Sequence, residues 1–226
     1  MSTVLRMSYY GNPFLGLFFR ANNSIVFAPV NSSEKIISRL NDAFKVKIVK
    51  ISFFNSDLIG LYTVMNNYGV IVPNIIESEE LAMLKKELKE QGLNIFVSAE
   101  LNNAHGNNIC ANDKGGIINP RINSAEKKKM EDALGVELVP LSIAHYNTVG
   151  SACIATNKGF LAHYAANESE IKSIERALRV PGDRGTANTG IGFIGISAIV
   201  NDNNFIIGEA SSGFEIGKLQ NALGYI

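Results

Sequence analysis

Thr3 to Phe18 reads TVLRMSYYGNPFLGLF, and Lys47 to Tyr62 reads KIVKISFFNSDLIGLY, the same pattern 44 residues later without a gap. Ser8 falls on Ser52, Gly16 on Gly60 and Leu17 on Leu61. Arg6/Lys50, Met7/Ile51, Tyr9/Phe53 and Phe14/Leu58 keep their chemistry. A fixed period in this range marks a repeat architecture. A Ser followed eight residues on by Gly recurs at Ser8/Gly16, Ser52/Gly60, Ser98/Gly106 and Ser142/Gly150. Gly195 continues the series, although Ala187 replaces its Ser. The glycines step by 44, 46, 44 and 45, so five steps account for the 226 residues. A single domain over 1–226, built of five repeats, is the expectation.

Helical periodicity keeps the same register. Apolar residues at i, i+3 and i+7 trace one helical face. They recur as Ile37/Leu40/Phe44, Leu81/Leu84/Leu88, Met130/Leu134, Ile171/Ile174/Leu178 and Ile216/Leu219/Leu223, with Lys127 the one break. Ser33, Ser78, Ser124, Asn167 and Ser212 stand near the five starts, where a side-chain oxygen can cap free backbone N–H groups. Between each glycine and its helix lies a hairpin pattern, as in LFFRANNSIVFAP (17–29) and LYTVMNNYGVIVP (61–73). Asn22-Asn23, Asn66-Asn67, Asn112-Asp113, Asn157-Lys158-Gly159 and Asp202-Asn203 supply its turn, because Asn, Asp and Gly tolerate positive φ. A further apolar run follows each helix, such as Val46–Ser52 or Val136–Ser142. Each repeat is therefore strand, strand, helix, strand.

The fifth repeat stops after its helix at Ile226, while the first has a strand too many, Val4–Tyr9, which aligns with the missing type. A closed α/β ring follows, with the N-terminal strand completing the fifth repeat against the helix face of Ile216 and Leu219. Closure also removes exposed sheet edges. A five-bladed β-propeller is the rival, but its blades hold four strands and no amphipathic helix.

Composition excludes more than it selects. Lys plus Arg equals Asp plus Glu at 21 each, so no global field draws the protein to polyanions. The FLGLFF run at 14–19 is too short to span a bilayer and lacks signal-peptide flanks, so no membrane association is expected. Cys110 and Cys153 sit in apolar strand runs and propose no disulfide framework. They read as inert buried thiols in a cytoplasmic protein. His105, His145 and His163 lack metal-ligand spacing, so no metal and no cofactor is expected. The Gly-rich Pro181–Gly195 lacks the order of a phosphate loop and reads as an irregular lead-in to the fifth repeat. Lys127–Lys129 and Lys85/Lys86/Lys89 read as solvated helix faces.

The loops just before each glycine are more specific: YGNPFLG, FNSDLIG, NNAHG, YNTVG and NTGIGFIG. Sharing one position in the repeat, they must crowd one end of a ring. Their asparagines, Asn12, Asn55, Asn107, Asn147 and Asn188, suit turns and caps. They suit a polar docking rim equally, with Thr148 beside Asn147.

ISFFNSDLIG (51–60), HGNNICANDKGGIINP (105–120), TVGSACIATNKGFLAH (148–163) and SGFEIGKLQNALG (212–224) resemble the translation initiation factor 6 family in its archaeal form. The resemblance runs in register over the whole chain. It implies the pentein fold, five pseudosymmetric units around a solvent-filled channel. It also implies a monomer that binds the large ribosomal subunit near ribosomal protein L14 and the sarcin–ricin loop, blocking the small subunit. The family's docking loop carries a Gly-Asn pair, matched here by Gly106-Asn107. Many relatives have Arg where this chain has Leu61. Relatives usually read Asn-Arg-Gly where this chain has Asn188-Thr189-Gly190, with its arginine earlier at Arg184. Penteins also include guanidine-modifying enzymes of the deiminase and amidinotransferase type, with a late Cys nucleophile. No cysteine follows Cys153, so no catalytic residue is expected.

Overall fold

The computed structural model describes residues 5–226, and the sequence period becomes a period of elements. After β1 (Leu5–Met7), a 3-10 turn at Leu15–Leu17 opens the first repeat. It continues as β2 (Arg20–Ala21), β3 (Ile25–Pro29), α1 (Glu34–Phe44) and β4 (Lys47–Ile51). The second repeat is α2 (Ile59–Tyr62), β5 (Val64–Met65), β6 (Gly69–Pro73), α3 (Ser78–Glu90) and β7 (Asn94–Ser98). The third is α4 (His105–Asn108), β8 (Ile109–Ala111), β9 (Gly116–Ile118), α5 (Ser124–Leu134) and β10 (Leu138–Pro140). The fourth is α6 (Val149–Ala152), β11 (Cys153–Ala155), β12 (Phe160–His163), α7 (Glu168–Leu178) and β13 (Gly182–Gly185). The fifth has a 3-10 turn at Ile194–Ile196, then β14 (Ala198–Val200), β15 (Phe205–Gly208) and α8 (Gly213–Ala222).

Each repeat contributes a three-stranded sheet, ordered β2-β3-β4, β5-β6-β7, β8-β9-β10, β11-β12-β13 and β14-β15-β1. Within each, the first two strands form an antiparallel hairpin, and the third, returning after the helix, lies parallel to the middle one. Middle strands are covered on both faces, which is why IVFAP and GVIVP read as unbroken apolar runs. In the fifth sheet the parallel partner comes from the other end of the chain. Leu5, Arg6 and Met7 pair with Ile206, Ile207 and Gly208. The strand expected from Val4 to Tyr9 is regular only over Leu5–Met7, and Val4 lies outside the described residues. The three-stranded sheets and their helices rule out the β-propeller. The fold is the closed five-fold α/β ring of the pentein type.

Every helix packs between its own sheet and the preceding one, giving five cores. Leu40 of α1 shares a core with Val26 of its own repeat and Ile206 of the fifth. Leu219 of α8 lies with Leu161 of the fourth and Phe205 of the fifth. This placement corrects one expectation: Met7 of β1 packs against α1, in the core of Ile36 and Leu40, and not on the Ile216/Leu219 face. Each sheet thus lies between two helices, its own and that of the following repeat. The caps also differ in two places. Glu77 precedes α3, and Asn123 precedes α5 with its Oδ1 accepting from Ala125 N at 2.8 Å, so Ser78 and Ser124 are first helical residues. Lys127, the break in the third stripe, pairs with Glu131 at 2.5 Å, and Glu131 also accepts from Leu138 N at 2.9 Å. Pro181–Gly195 is not irregular throughout, since β13 pairs in register with β12.

At the axis the periodic glycines meet. A Cβ on Gly60 would overlap the carbonyl oxygen of Gly16, and one on Gly106 would overlap that of Gly60. The series runs on through Gly150 and Gly195 and returns to Gly16. The five short turns therefore touch in a closed circle, which only residues without a side chain permit. The other axial mouth is a ring of side chains. Asn23 N donates to Asn67 Oδ1, Asn67 N to Asp113 Oδ1, Asp113 N to Asn157 Oδ1, Asn157 N to Asp202 Oδ1, and Asp202 N back to Asn23 Oδ1, at 2.7–3.0 Å.

Candidate docking face

The inter-repeat loops emerge beside the glycine circle, at one end of the ring. Four of them close as tight turns, bridging Tyr9 to Asn12, Phe53 to Ser56, Ile143 to Tyr146 and Ala187 to Ile191. The central residues are left-handed: Tyr10 (φ 48°) and Gly11 (82°), Phe54 (52°) and Asn55 (58°), Ala144 (49°) and His145 (70°). The fifth-repeat turn holds Asn188 (48°), Thr189 (64°) and Gly190 (94°) in the same region. Positive φ is common for Gly and Asn but costs about 1–2 kcal/mol for residues such as Tyr, Phe and Ala. Tyr10 and Phe54 also present their rings to solvent, each 69% exposed. Exposed aromatic side chains on strained turns gain nothing from the core.

What holds these turns is an acidic residue from the next helix. Glu80 Oε2 accepts from Phe54 N at 3.3 Å and Glu170 Oε1 from Ala144 N at 2.9 Å, while in the third repeat, which lacks such a turn, Glu126 Oε2 accepts from Ala99 N at 3.3 Å. Glu215 accepts from Gly190 N at 2.8 Å and Thr189 N at 3.3 Å. Burial of Glu215 acts against its charge, but these N–H groups, Ser212 N and the Thr186 hydroxyl hold it below the usual carboxylate range. α1 has no such residue, and there the Tyr10 hydroxyl donates to Asn31 O at 2.8 Å. The glutamates step by 46, 44 and 45, a period present in the sequence but masked by the many other acids on these helices.

The sequence-derived rim residues divide among three places. Asn107, Asn147 and Thr148 come together in a groove of about 370 Å³ between the third and fourth repeats, with Leu101 and Arg121. Asn107 Oδ1 is buried and has no partner among the described residues, while Asn147 Oδ1 accepts from Ser142 Oγ at 2.7 Å. Leu101, 95% exposed, overhangs the groove where the other repeats place a turn. Asn12 lies at the junction of the first and fifth repeats, where Asn188 reaches its neighbour Pro13. Asn188 is buried and donates from Nδ2 to Pro13 O at 3.0 Å, while Asn12 Oδ1 accepts from Phe14 N at 2.9 Å. Asn55 stands alone and exposed on the second turn. Gly106 is buried in the glycine circle. Sequence reasoning missed the aromatic turn tips Tyr10 and Phe54, whose signal was apolar residues directly beside turn-forming Gly11 and Asn55.

Among the described residues no cysteine stands on this face. Cys110 and Cys153 are buried, both line the axial cavity, and burial together with the neighbouring Cys110 thiol pushes the Cys153 thiol up. His105 is fully buried and carries neither a donor nor an acceptor contact on its ring, and burial pushes its pKa down to about 4. Among the described residues no group of three or more His, Cys, Asp or Glu could hold a metal ion. No helix among them is long and apolar enough to cross a membrane.

The eIF-6 family matches the chain over residues 4–222. Translation initiation factor 6 of Staphylothermus marinus is 35% identical over 222 residues, covering 97% of both chains. That of Picrophilus torridus is 35% identical over 220 residues, covering 97% of this chain and 99% of its own. That of Methanocaldococcus jannaschii is 32% identical over 229 residues, with both chains covered in full. Ring, period and relatives agree: the chain belongs to the eIF-6 family of translation initiation factors.

Proposed function

We propose that the protein binds the large ribosomal subunit through the end of the ring that carries the left-handed turns, and thereby prevents the small subunit from joining. The observation that carries this reading is the concentration of exposed, strained, separately braced turns at one end of a rigid ring. Strain of this kind persists where surrounding contacts over-determine it, and it collects at recognition sites. Family membership supports the ribosome as partner. The mechanism is steric. A ring docked near ribosomal protein L14 and the sarcin–ricin loop occupies space that the small subunit needs, and no bond is made or broken. The protein acts as a monomer in the cytoplasm, without cofactor.

The groove of Asn107, Asn147, Thr148 and Arg121 supplies amide donors and acceptors and one cation, with Leu101 as an apolar contact. Such a mixture suits a protein or RNA surface better than a small substrate, whose sites are concave and mostly apolar. Sedimentation tests the proposal. The protein is expected to travel with purified large subunits and not with small ones. Equal binding to both would overturn it.

A further inference from the structure

The channel breaks its own five-fold symmetry at one residue. Four positions after the axial glycines stand Arg20, Val64, Cys110, Ile154 and Ile199, and all five line the axial cavity. The guanidinium turns back towards the glycine circle, where Nη2 donates to Gly60 O and lies against Gly106. Its Nε is buried without a partner, and among the described residues no carboxylate pairs with it. The residue as a whole is half-buried, and it lines the cavity. Burial pushes the Arg20 pKa down to about 10, which leaves it charged at neutral pH. A buried charge is normally paired. Asp113 and Asp202 are the carboxylates of the opposite mouth, three residues further along the strands or roughly 10 Å away. The Asp113 oxygens already accept from Asn67 and Asn157, and those of Asp202 from Asn157 and Asn23.

We propose that the axial cavity is a binding site for a small monovalent anion of halide size, held by the Arg20 guanidinium. The cavity measures about 50 Å³. At roughly 10–15 Å³ for each water-sized particle, it admits a halide with a few waters. Water alone would satisfy N–H groups and leave the charge uncompensated. The anion takes the N–H groups that Gly60 does not, from the cavity side, and the apolar wall of Val64, Ile154 and Ile199 strengthens the attraction by excluding solvent. Because Arg20 of the first repeat touches Gly60 of the second and Gly106 of the third, the anion fixes three repeats at the axis.

The test melts the full chain and an Arg20→Met variant in sodium chloride and in sodium gluconate, at fixed ionic strength and pH 7. Gluconate is too large for the cavity. Above half-saturation the wild-type midpoint is expected to rise by about 3–6 °C for each tenfold in chloride, relative to gluconate. Arg20→Met is expected to show no such dependence. Equal midpoints of the wild type in the two salts, or a chloride dependence that survives in Arg20→Met, would overturn the proposal. Should the variant not fold, wild-type crystals grown in bromide decide. An anomalous peak beside Arg20 supports the site, and a cavity without one refutes it.

Discussion

Gly106 and Asn107 are adjacent in the chain and answer to different constraints. A Cβ at position 106 would run into the backbone carbonyls of Gly60 and Thr63, atoms that cannot step aside without opening the glycine circle. Gly106→Ala is expected to cost at least about 1–3 kcal/mol, a fall of roughly 2–4 °C in melting midpoint per kcal/mol. Asn107 faces the groove and its Oδ1 has no partner to lose. Asn107→Ala is therefore expected to leave the midpoint within about 2 °C while weakening association with large subunits in sedimentation. A matching fall in stability would make Asn107 a structural residue instead. His105, next in line, is buried neutral with its pKa near 4, below the ordinary value of 6.5. The unfolded chain binds that proton more readily, so stability is lost as pH falls from about 6.5 towards 4. Replacing it by Leu is expected to flatten that limb of a stability–pH curve. A curve of unchanged slope would contradict the burial. The sequence marked Gly106 and Asn107 as a pair but could not separate them, because burial at the axis depends on the other four repeats.

At the scale of elements, the helix N-termini do two jobs. The glutamates at their third positions close capping boxes at α3, α7 and α8, and reach on to the docking turns. Glu215→Ala is expected to cost about 1 kcal/mol and to speed amide exchange at Thr189 and Gly190, with β15 unaffected. Equal protection in both proteins would remove Glu215 as the brace. Glu126 and Glu215 are both held below the usual carboxylate range, so their contribution is complete above the unfolded value, near 4.3, and fades as pH falls through the folded one. Amide exchange at the turns should rise over that acid window. Strands were legible as short apolar runs bounded by turn residues, and long helices because apolar residues repeat at three-to-four residue spacings. The short turns on the glycines were not, since four residues such as VGSA carry no period. GDRG of β13 was hidden by glycines that suit a strand only because β12 lies alongside to pair with it.

For the whole molecule, closure rests on β1. Its Met7, followed by Tyr9, is buried against α1, and Arg6 pairs with Ile207 across the two ends of the chain. Deleting residues 1–10 removes at least two buried side chains worth about 1.5–3 kcal/mol each and bares an edge of β15, against a usual total of about 5–15 kcal/mol. The truncated chain is expected to aggregate, with partial rescue by a peptide of residues 1–11. A soluble monomer with an unchanged melting curve would contradict closure through this strand. The missing partner of the fifth repeat was readable from the 44-residue copy, whereas the helix that covers it was assigned to the wrong repeat. Sequence order does not say which of the two helices flanking a sheet a given strand side chain faces. The central claim, that one end of this ring occupies the joining surface, is tested most directly by titrating the protein into purified large and small subunits and following their association by light scattering. Joining is expected to fall towards zero as large subunits fill, with the half-point shifted to higher protein by Asn107→Ala. Undiminished joining on large subunits shown to be saturated with the protein would contradict it.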